Sequence, residues 1–118
     1  MRIVICDDNP IERESLLKLT TQIAKINGFD AEFEVFENAK QMMFELEDKL
    51  ELIDIMLLDI NMPGLDGMEA ATRLRLKGYI GEIVFTTVSK SHMLRAFDVR
   101  AFNYIVKGET DKVKTEKI

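Results

Sequence analysis

The chain holds one cysteine and one histidine in 118 residues. A single cysteine excludes an internal disulfide framework and any cysteine-built zinc site. Basic residues are in the minority, 16 Lys and Arg against 21 Asp and Glu, for a net charge of -5. A domain of that sign does not grip nucleic acid through a basic footprint. No apolar run approaches the roughly 20 residues that span a bilayer. The opening Met1-Arg2-Ile3-Val4-Ile5 enters a strand-like pattern at once, with no signal peptide visible. Internal repeats and low-complexity tracts are missing too, and no linker precedes residue 107. What is present is 47% apolar and 31% charged residues, the balance of a folded domain. At this length folding buries about two-thirds of the extended-chain surface. The expectation is one small acidic domain of cytoplasmic type over residues 1–118, without contact to membrane.

Arg2 to Cys6 is a short apolar run, consistent with a strand buried on both faces. Asp7, Asp8, Asn9 and Pro10 end it, and Pro10 suits the first turn of a helix. Leu16, Leu19, Ile23 and Ile26 then repeat at helical spacing until Asn27-Gly28. Phe33 to Phe36 alternates as a second strand, and Asn38 to Leu50 reads as a helix with Met42, Met43, Leu46 and Leu50 inward. Asp54 to Leu58 is a third, continuous apolar strand closed by Asp59. A loop from Ile60 to Leu65 leads to a helix over about Asp66 to Lys77, and Gly78 and Gly81 bracket the turn into a strand from Glu82 to about Thr86. A fourth helix from Ser91 to Arg100 and a fifth strand from Phe102 to Val106 complete the pattern. Glu109 to Ile118 is expected to begin a fifth helix; with Val113 and Ile118 its only strongly apolar residues, that helix reads as truncated near a domain boundary. Strands alternating with helices predict an α/β fold, a doubly wound parallel sheet with helices on both faces.

In such sheets ligands bind beyond the carboxyl ends of the strands, where strand order reverses. In the order 2-1-3-4-5 the first and third strands are neighbours, so Asp7, Asp8 and Asp59 converge in one crevice. Clustered carboxylates repel unless a cation joins them, and hard oxygen ligands select Mg²⁺ or a similar ion. Thr86 and Thr87 close the fourth strand and Lys107 the fifth. A hydroxyl and an ammonium beside a metal–carboxylate cluster suit an oxyanion such as a phosphoryl group.

Asp7-Asp8, the stretch Leu57-Leu58-Asp59-Ile60-Asn61-Met62-Pro63-Gly64-Leu65-Asp66-Gly67, a threonine after the fourth strand and Lys107 together resemble a response-regulator receiver domain over essentially the whole chain. The resemblance implies the flavodoxin-like five-stranded fold. It implies that Asp59 accepts a phosphoryl group from a cognate sensor histidine kinase. Mg²⁺ is then held by Asp8, Asp59 and the backbone carbonyl of Asn61, with Asp7 acting through water. The spacing from Thr87-Val88 through Leu94-Arg95-Ala96-Phe97 to Asn103-Tyr104-Ile105-Val106-Lys107 is similar to family members in which the threonine is the one matching Thr87. Thr87 and Tyr104 are thereby implied as switch residues that alter the surface of helix four, strand five and helix five. The same stretch resembles receivers joined to LytTR-type DNA-binding domains. That implies transcription regulation through an output domain beyond residue 118, with a homodimer on phosphorylation; the alternative is a stand-alone phosphorelay receiver with no DNA-binding output.

Three features depart from the family pattern: Gly108 follows the lysine in place of proline, Val88 replaces a small residue, and the last helix is short and polar. Two other functions fit less well. A Mg²⁺-dependent phosphohydrolase needs an aspartate two residues after its nucleophile, where Asn61 stands, and a cap insertion for which there is no room; no enzyme activity is expected. A flavin module needs a phosphate-cradling first loop, whereas Asp7-Asp8-Asn9-Pro10 presents carboxylates. Cys6 is expected to be a buried packing residue, His92 to lie on the surface, and the acidic stretch from Glu45 to Glu51 to be a solvated helix face.

Overall fold

The computed structural model describes residues 1–88 and 91–107. The expected fifth helix and Gly108 lie outside the described residues. Nine elements follow in order: β1 (Arg2–Cys6), α1 (Pro10–Ile26), β2 (Glu32–Phe36), α2 (Ala39–Leu46), β3 (Ile55–Asp59), α3 (Gly67–Leu76), β4 (Glu82–Thr87), α4 (Met93–Asp98) and β5 (Asn103–Val106). All strand pairs are parallel and the order is β2-β1-β3-β4-β5. The doubly wound sheet read from the sequence is therefore the observed one.

Side-chain alternation along the strands separates two cores. Val4, Cys6, Met56, Leu58, Ile83, Phe85 and Tyr104 face the side covered by α2, α3 and α4, where Met42, Leu46, Met68 and Leu74 meet them. Ile3, Ile5, Leu57, Val84 and Ile105 face the other side and pack with Leu16 of α1. α1, α2 and α3 each start from a loop that follows a strand, and a side chain caps each of them there. Asn9 accepts hydrogen bonds from the Ile11 and Glu12 amides, Asn38 from Gln41 and Asp66 from Glu69. These caps satisfy amides that a helix start leaves open and bring three loops to the same edge of the sheet.

Three elements differ from the sequence reading. In α1 the buried stripe is Leu16, Thr20 and Ala24, and Ile26 is 83% exposed. Thr20 enters the core because its hydroxyl donates to the Leu16 carbonyl at 2.6 Å, hiding its polarity within the helix. α2 ends at Leu46, and Leu50 reaches the core from a separate turn of 3-10 helix, Leu50–Leu52, so the spacing of apolar residues survives without a continuous helix. α4 is six residues long; Ser91 and His92 form a turn before it, and Arg100, at a φ of 55°, cannot continue it. Cys6 is fully buried as expected, whereas His92 is half-buried. Among the described residues no helix is long and apolar enough to cross a membrane.

Burial at the sheet centre sets a clear contrast in stability. Leu58 is 0% exposed, so Leu58→Ala is expected to cost about 2–5 kcal/mol in urea unfolding. Ile26→Ser, at a position the sequence placed inward, is expected to change stability by no more than about 0.5 kcal/mol.

Candidate functional site

The carboxyl ends of β1 and β3 lie side by side, so Asp7 and Asp8, which follow β1, meet Asp59, the last residue of β3. One carboxylate oxygen from each of the three lies within 4.8 Å of the others. Asp7 and Asp59 are each 1% exposed, while Asp8 is open to solvent. Lys107, just past β5, reaches across with its ammonium 3.2 Å from Asp7 Oδ2 and 3.3 Å from Asp59 Oδ2. Beyond that ion pair, Asp59 Oδ2 is buried without a hydrogen bond.

The surrounding backbone holds these groups in place. The Asn9 amide donates to Asp7 Oδ1 at 2.9 Å, and the Arg13 guanidinium donates to the Asp7 carbonyl at 2.9 Å. The Asn61 amide donates to Asp59 Oδ1 at 3.3 Å. Gly67 packs directly on the Asp59 backbone: a Cβ there would stand 2.0 Å from the Asp59 carbonyl oxygen. Only glycine lets α3 start this close to the end of β3.

The two threonines of β4 point to opposite sides. Thr86 pairs with Asp59 in the sheet register, but its hydroxyl faces α1 and is buried without a hydrogen bond. Thr87 is fully buried and accepts a 2.8 Å hydrogen bond from the Asn61 side chain. The Tyr104 hydroxyl lies beside the Thr87 side chain and the His92 main chain, which oppose the upward push that burial gives its pKa. Tyr104 is buried, and its ring stands edge-on to Phe85 at 6.4 Å. Val88, next to Thr87, is 68% exposed.

Electrostatics at this edge are dominated by burial. Asp59 is pushed up to about 7, first by burial and then by the neighbouring Asp7 charge, with Lys107 opposing both. Burial alone would lower Lys107; Asp59 and Asp7 outweigh it and hold the ammonium above its ordinary value. Cys6, beneath the acids, is raised to about 12 by burial and by Asp7, Asp59 and Asp8, so it stays a thiol. Three clustered carboxylates, two of them sharing the Lys107 ammonium and one of those with a buried oxygen free of hydrogen bonds, form a donor set that fits a hard divalent cation such as Mg²⁺. Asp8, being exposed, gives such an ion an open approach.

The family model for "Response regulator receiver domain" matches residues 3–118. The chain belongs to the response-regulator receiver family. Among relatives, this receiver is 36% identical to the positive alginate biosynthesis regulatory protein of Pseudomonas aeruginosa, over 91% of the chain and 41% of that protein. It is 33% identical to the sensory transduction protein LytT of Enterococcus faecalis, over 100% of the chain and 46% of that protein. Among solved structures, the response regulatory domain of mrkE from Klebsiella pneumoniae has a TM-score of 0.86 at 26% identity, covering 99% of this chain and 91% of that one. The receiver thus spans less than half the length of these two curated relatives. They are regulators of the LytTR type, in line with the resemblance read from the fourth helix onward.

The residues read from sequence converge: Asp7, Asp8, Asp59 and Lys107 in one cluster, with Thr87 tied to it through Asn61 and to Tyr104 behind it. The sequence points to Asn61 only for its carbonyl and does not single out its side chain, Arg13 or Gly67. Gly67 stands in the Asp66-Gly67 pair of the quoted stretch, but its close approach to Asp59 shows only in the fold. The Asn61 side chain and Arg13 had no signal, because their partners lie across strands or behind a helix turn.

Asp59 makes the receiver's stability depend on pH in a definite direction. Its folded value near 7 lies above the unfolded carboxylate value of about 3.9, so the folded state holds the proton more tightly. Stability from this group is complete below about pH 4 and declines as pH rises toward 7. In chelator, the melting temperature of Asp59→Asn relative to wild type is expected to rise by about 5 °C or more between pH 4.5 and 7.5 and then level off. A wild type that gains on the variant over that range would show that Lys107 outweighs burial.

Proposed function

We propose that this receiver is a phosphoacceptor switch in which Asp59 takes a phosphoryl group from a cognate sensor histidine kinase. The observation that carries the reading is the buried Asp59 carboxylate paired with Lys107 on one side and linked through Asn61 to Thr87 on the other. An Asp59 carboxylate oxygen attacks phosphorus; the new oxygen–phosphorus bond forms as the bond from phosphorus to the donor's imidazole nitrogen breaks, its electron pair leaving with the nitrogen. Lys107, already held against Asp59 and Asp7, offers a fixed cation to the transferring oxygens without reorganising. Asp8, Asp59 and the Asn61 carbonyl, with Asp7 through water, are the groups we assign to Mg²⁺. When bound, that ion supplies positive charge to the attacking and transferring oxygens.

The product adds acceptor oxygens beside Asp59, and Thr87 is the hydroxyl tied to that loop through Asn61. Turning toward the phosphoryl group, Thr87 gives up its bond with Asn61 and loosens its link to Tyr104. Tyr104 then repacks against the α4–β5 surface, where Met93, Leu94, Phe97 and Phe102 are exposed apolar residues. An exposed apolar face of this kind supports a homodimer or contact with an output domain. The LytTR-type relatives support transcription regulation through a DNA-binding domain outside residues 1–118, and a cytoplasmic setting. A stand-alone phosphorelay receiver is the alternative. We read the chain as a switch and not a turnover enzyme: Asn61, where a phosphohydrolase carries its acid, is an amide engaged with Thr87.

Incubation with acetyl phosphate and Mg²⁺ is expected to give one phosphoryl adduct by intact mass, lost with chelator and absent from Asp59→Asn. No adduct on the wild type would overturn the switch. Thr87→Ala is expected to keep the adduct but to abolish the change in the Tyr104 ring resonances that accompanies it in wild type. A Tyr104 response that persists in Thr87→Ala would remove Thr87 from the pathway.

A further inference from the structure

Three helices of this receiver end in the same way. α1 closes with Phe29 N–H donating to the Ala24 carbonyl at 2.8 Å and Gly28 N–H to Lys25 at 3.2 Å; α3 closes with Tyr79 donating to Leu74 and Gly78 to Arg75, both at 3.0 Å. This paired closure needs a residue at positive φ, and glycine supplies it: Gly28 at 72° and Gly78 at 92°. α4 makes the same two bonds, Ala101 to the Ala96 carbonyl and Arg100 to Phe97, each 3.1 Å. Here the left-handed position is Arg100, at 55°, and among the described residues no other non-glycine residue has a positive φ. A side chain adopts that conformation at a steric cost, so the surroundings must hold it.

Arg75, on α3, supplies the hold. Its Nε donates to the Val99 carbonyl at 2.7 Å and its Nη2 to the Arg100 carbonyl at 3.1 Å. These are carbonyls at the end of α4, where the helix carries partial negative charge. From the same guanidinium, Nη1 donates to the Tyr79 and Gly81 carbonyls at 2.9 and 2.8 Å, and the group lies 5.5 Å from the Tyr79 ring centroid. The α3–β4 turn it grips is itself closely packed, since a Cβ on Gly81 would stand 2.1 Å from the Tyr79 hydroxyl. One planar cation therefore ties the end of α4 to a rigid turn through four carbonyls. The other end of α4 is differently placed: His92 makes no side-chain cap, and its main chain lies beside the Tyr104 hydroxyl, which neighbours Thr87.

We propose that Arg75 is a positioning residue that pins the C-terminal end of α4, so that a change at Thr87 and Tyr104 swings the helix about that end instead of displacing it whole. The inference rests on the switch reading above for its trigger, but the pin itself is a property of the unmodified protein.

Two variants test it in the full chain. Arg75→Lys keeps the charge but offers one ammonium in place of a fork that serves four carbonyls. In the absence of a phosphoryl donor, amide exchange at Arg100 and Ala101 is expected to quicken about tenfold or more in Arg75→Lys, with β1 and β3 amides unchanged. The double variant Arg75→Lys, Arg100→Gly puts glycine at the left-handed position and is expected to fold and to recover wild-type exchange at positions 100 and 101. On addition of acetyl phosphate and Mg²⁺, with the adduct confirmed by mass, wild-type amide shifts are expected to concentrate at His92 to Leu94 and Tyr104. In the single and the double variant alike they are expected to spread to Val99 through Phe102, which a cap without a pinning role would not produce. Wild-type exchange in Arg75→Lys, or an unchanged shift pattern in the double variant, overturns the proposal. If wild type forms no adduct, the switch reading fails, and the exchange comparison alone decides whether Arg75 holds the end of α4.

Discussion

Everything at the carboxyl edge of this sheet answers to one charge imbalance. Asp7 and Asp59 are almost wholly out of water, Asp8 stands beside them, and a single ammonium from Lys107 faces the group. Desolvation makes each uncompensated charge costly, and the strands allow no retreat because their backbones are fixed in a parallel ladder. The response is visible in the raised Asp59, in the held ammonium, and in a donor set suited to a small hard cation. A site left incomplete in this way gains stability from whatever brings positive charge, and it changes most when negative charge is added.

That sensitivity becomes a signal because the site is not closed on itself. Asn61 donates to Asp59 through its backbone and its side chain reaches Thr87; Thr87 meets Tyr104, and Tyr104 meets the start of α4. Asn61 makes one hydrogen bond to each side, so the loss of either leaves a buried oxygen of Asp59 or Thr87 without that partner and favours a discrete rearrangement over gradual drift. At the far end of α4, four carbonyls converge on Arg75. A short helix that neighbours the site through Tyr104 and is joined to the scaffold by a multidentate clamp has one loose end and one fixed end. The exposed Leu94 and Phe97 ride on it.

Much of this was legible in the residues. The apolar runs of β1 and β3 are consistent with strands buried on both faces, and their alternation with helical periodicity leaves few topologies besides the observed order. Asp7, Asp8 and Asp59 were legible for the same reason, since a residue that follows a buried parallel strand must emerge at its carboxyl edge. The errors came where periodicity speaks only for one helix at a time. Ile26 fits the α1 stripe by spacing yet lies 83% exposed, and Leu50 fits the α2 stripe yet reaches the core from a separate turn.

The sequence by itself determined the fold class, the acidic cluster and the cation opposite it, because strand length, helical period and strand-end chemistry are local properties. The family resemblance already pointed to Thr87, and tertiary structure supplied its contact, since adjacent residues on a strand point to opposite faces and Thr87 meets Asn61, 26 residues away. Tertiary structure decided that Lys107 closes on Asp7 across 100 residues. It also decided that an arginine 25 residues upstream of Arg100 holds the end of α4. Contacts of that separation leave no period in a chain; they exist only once the sheet has set the distances between its elements.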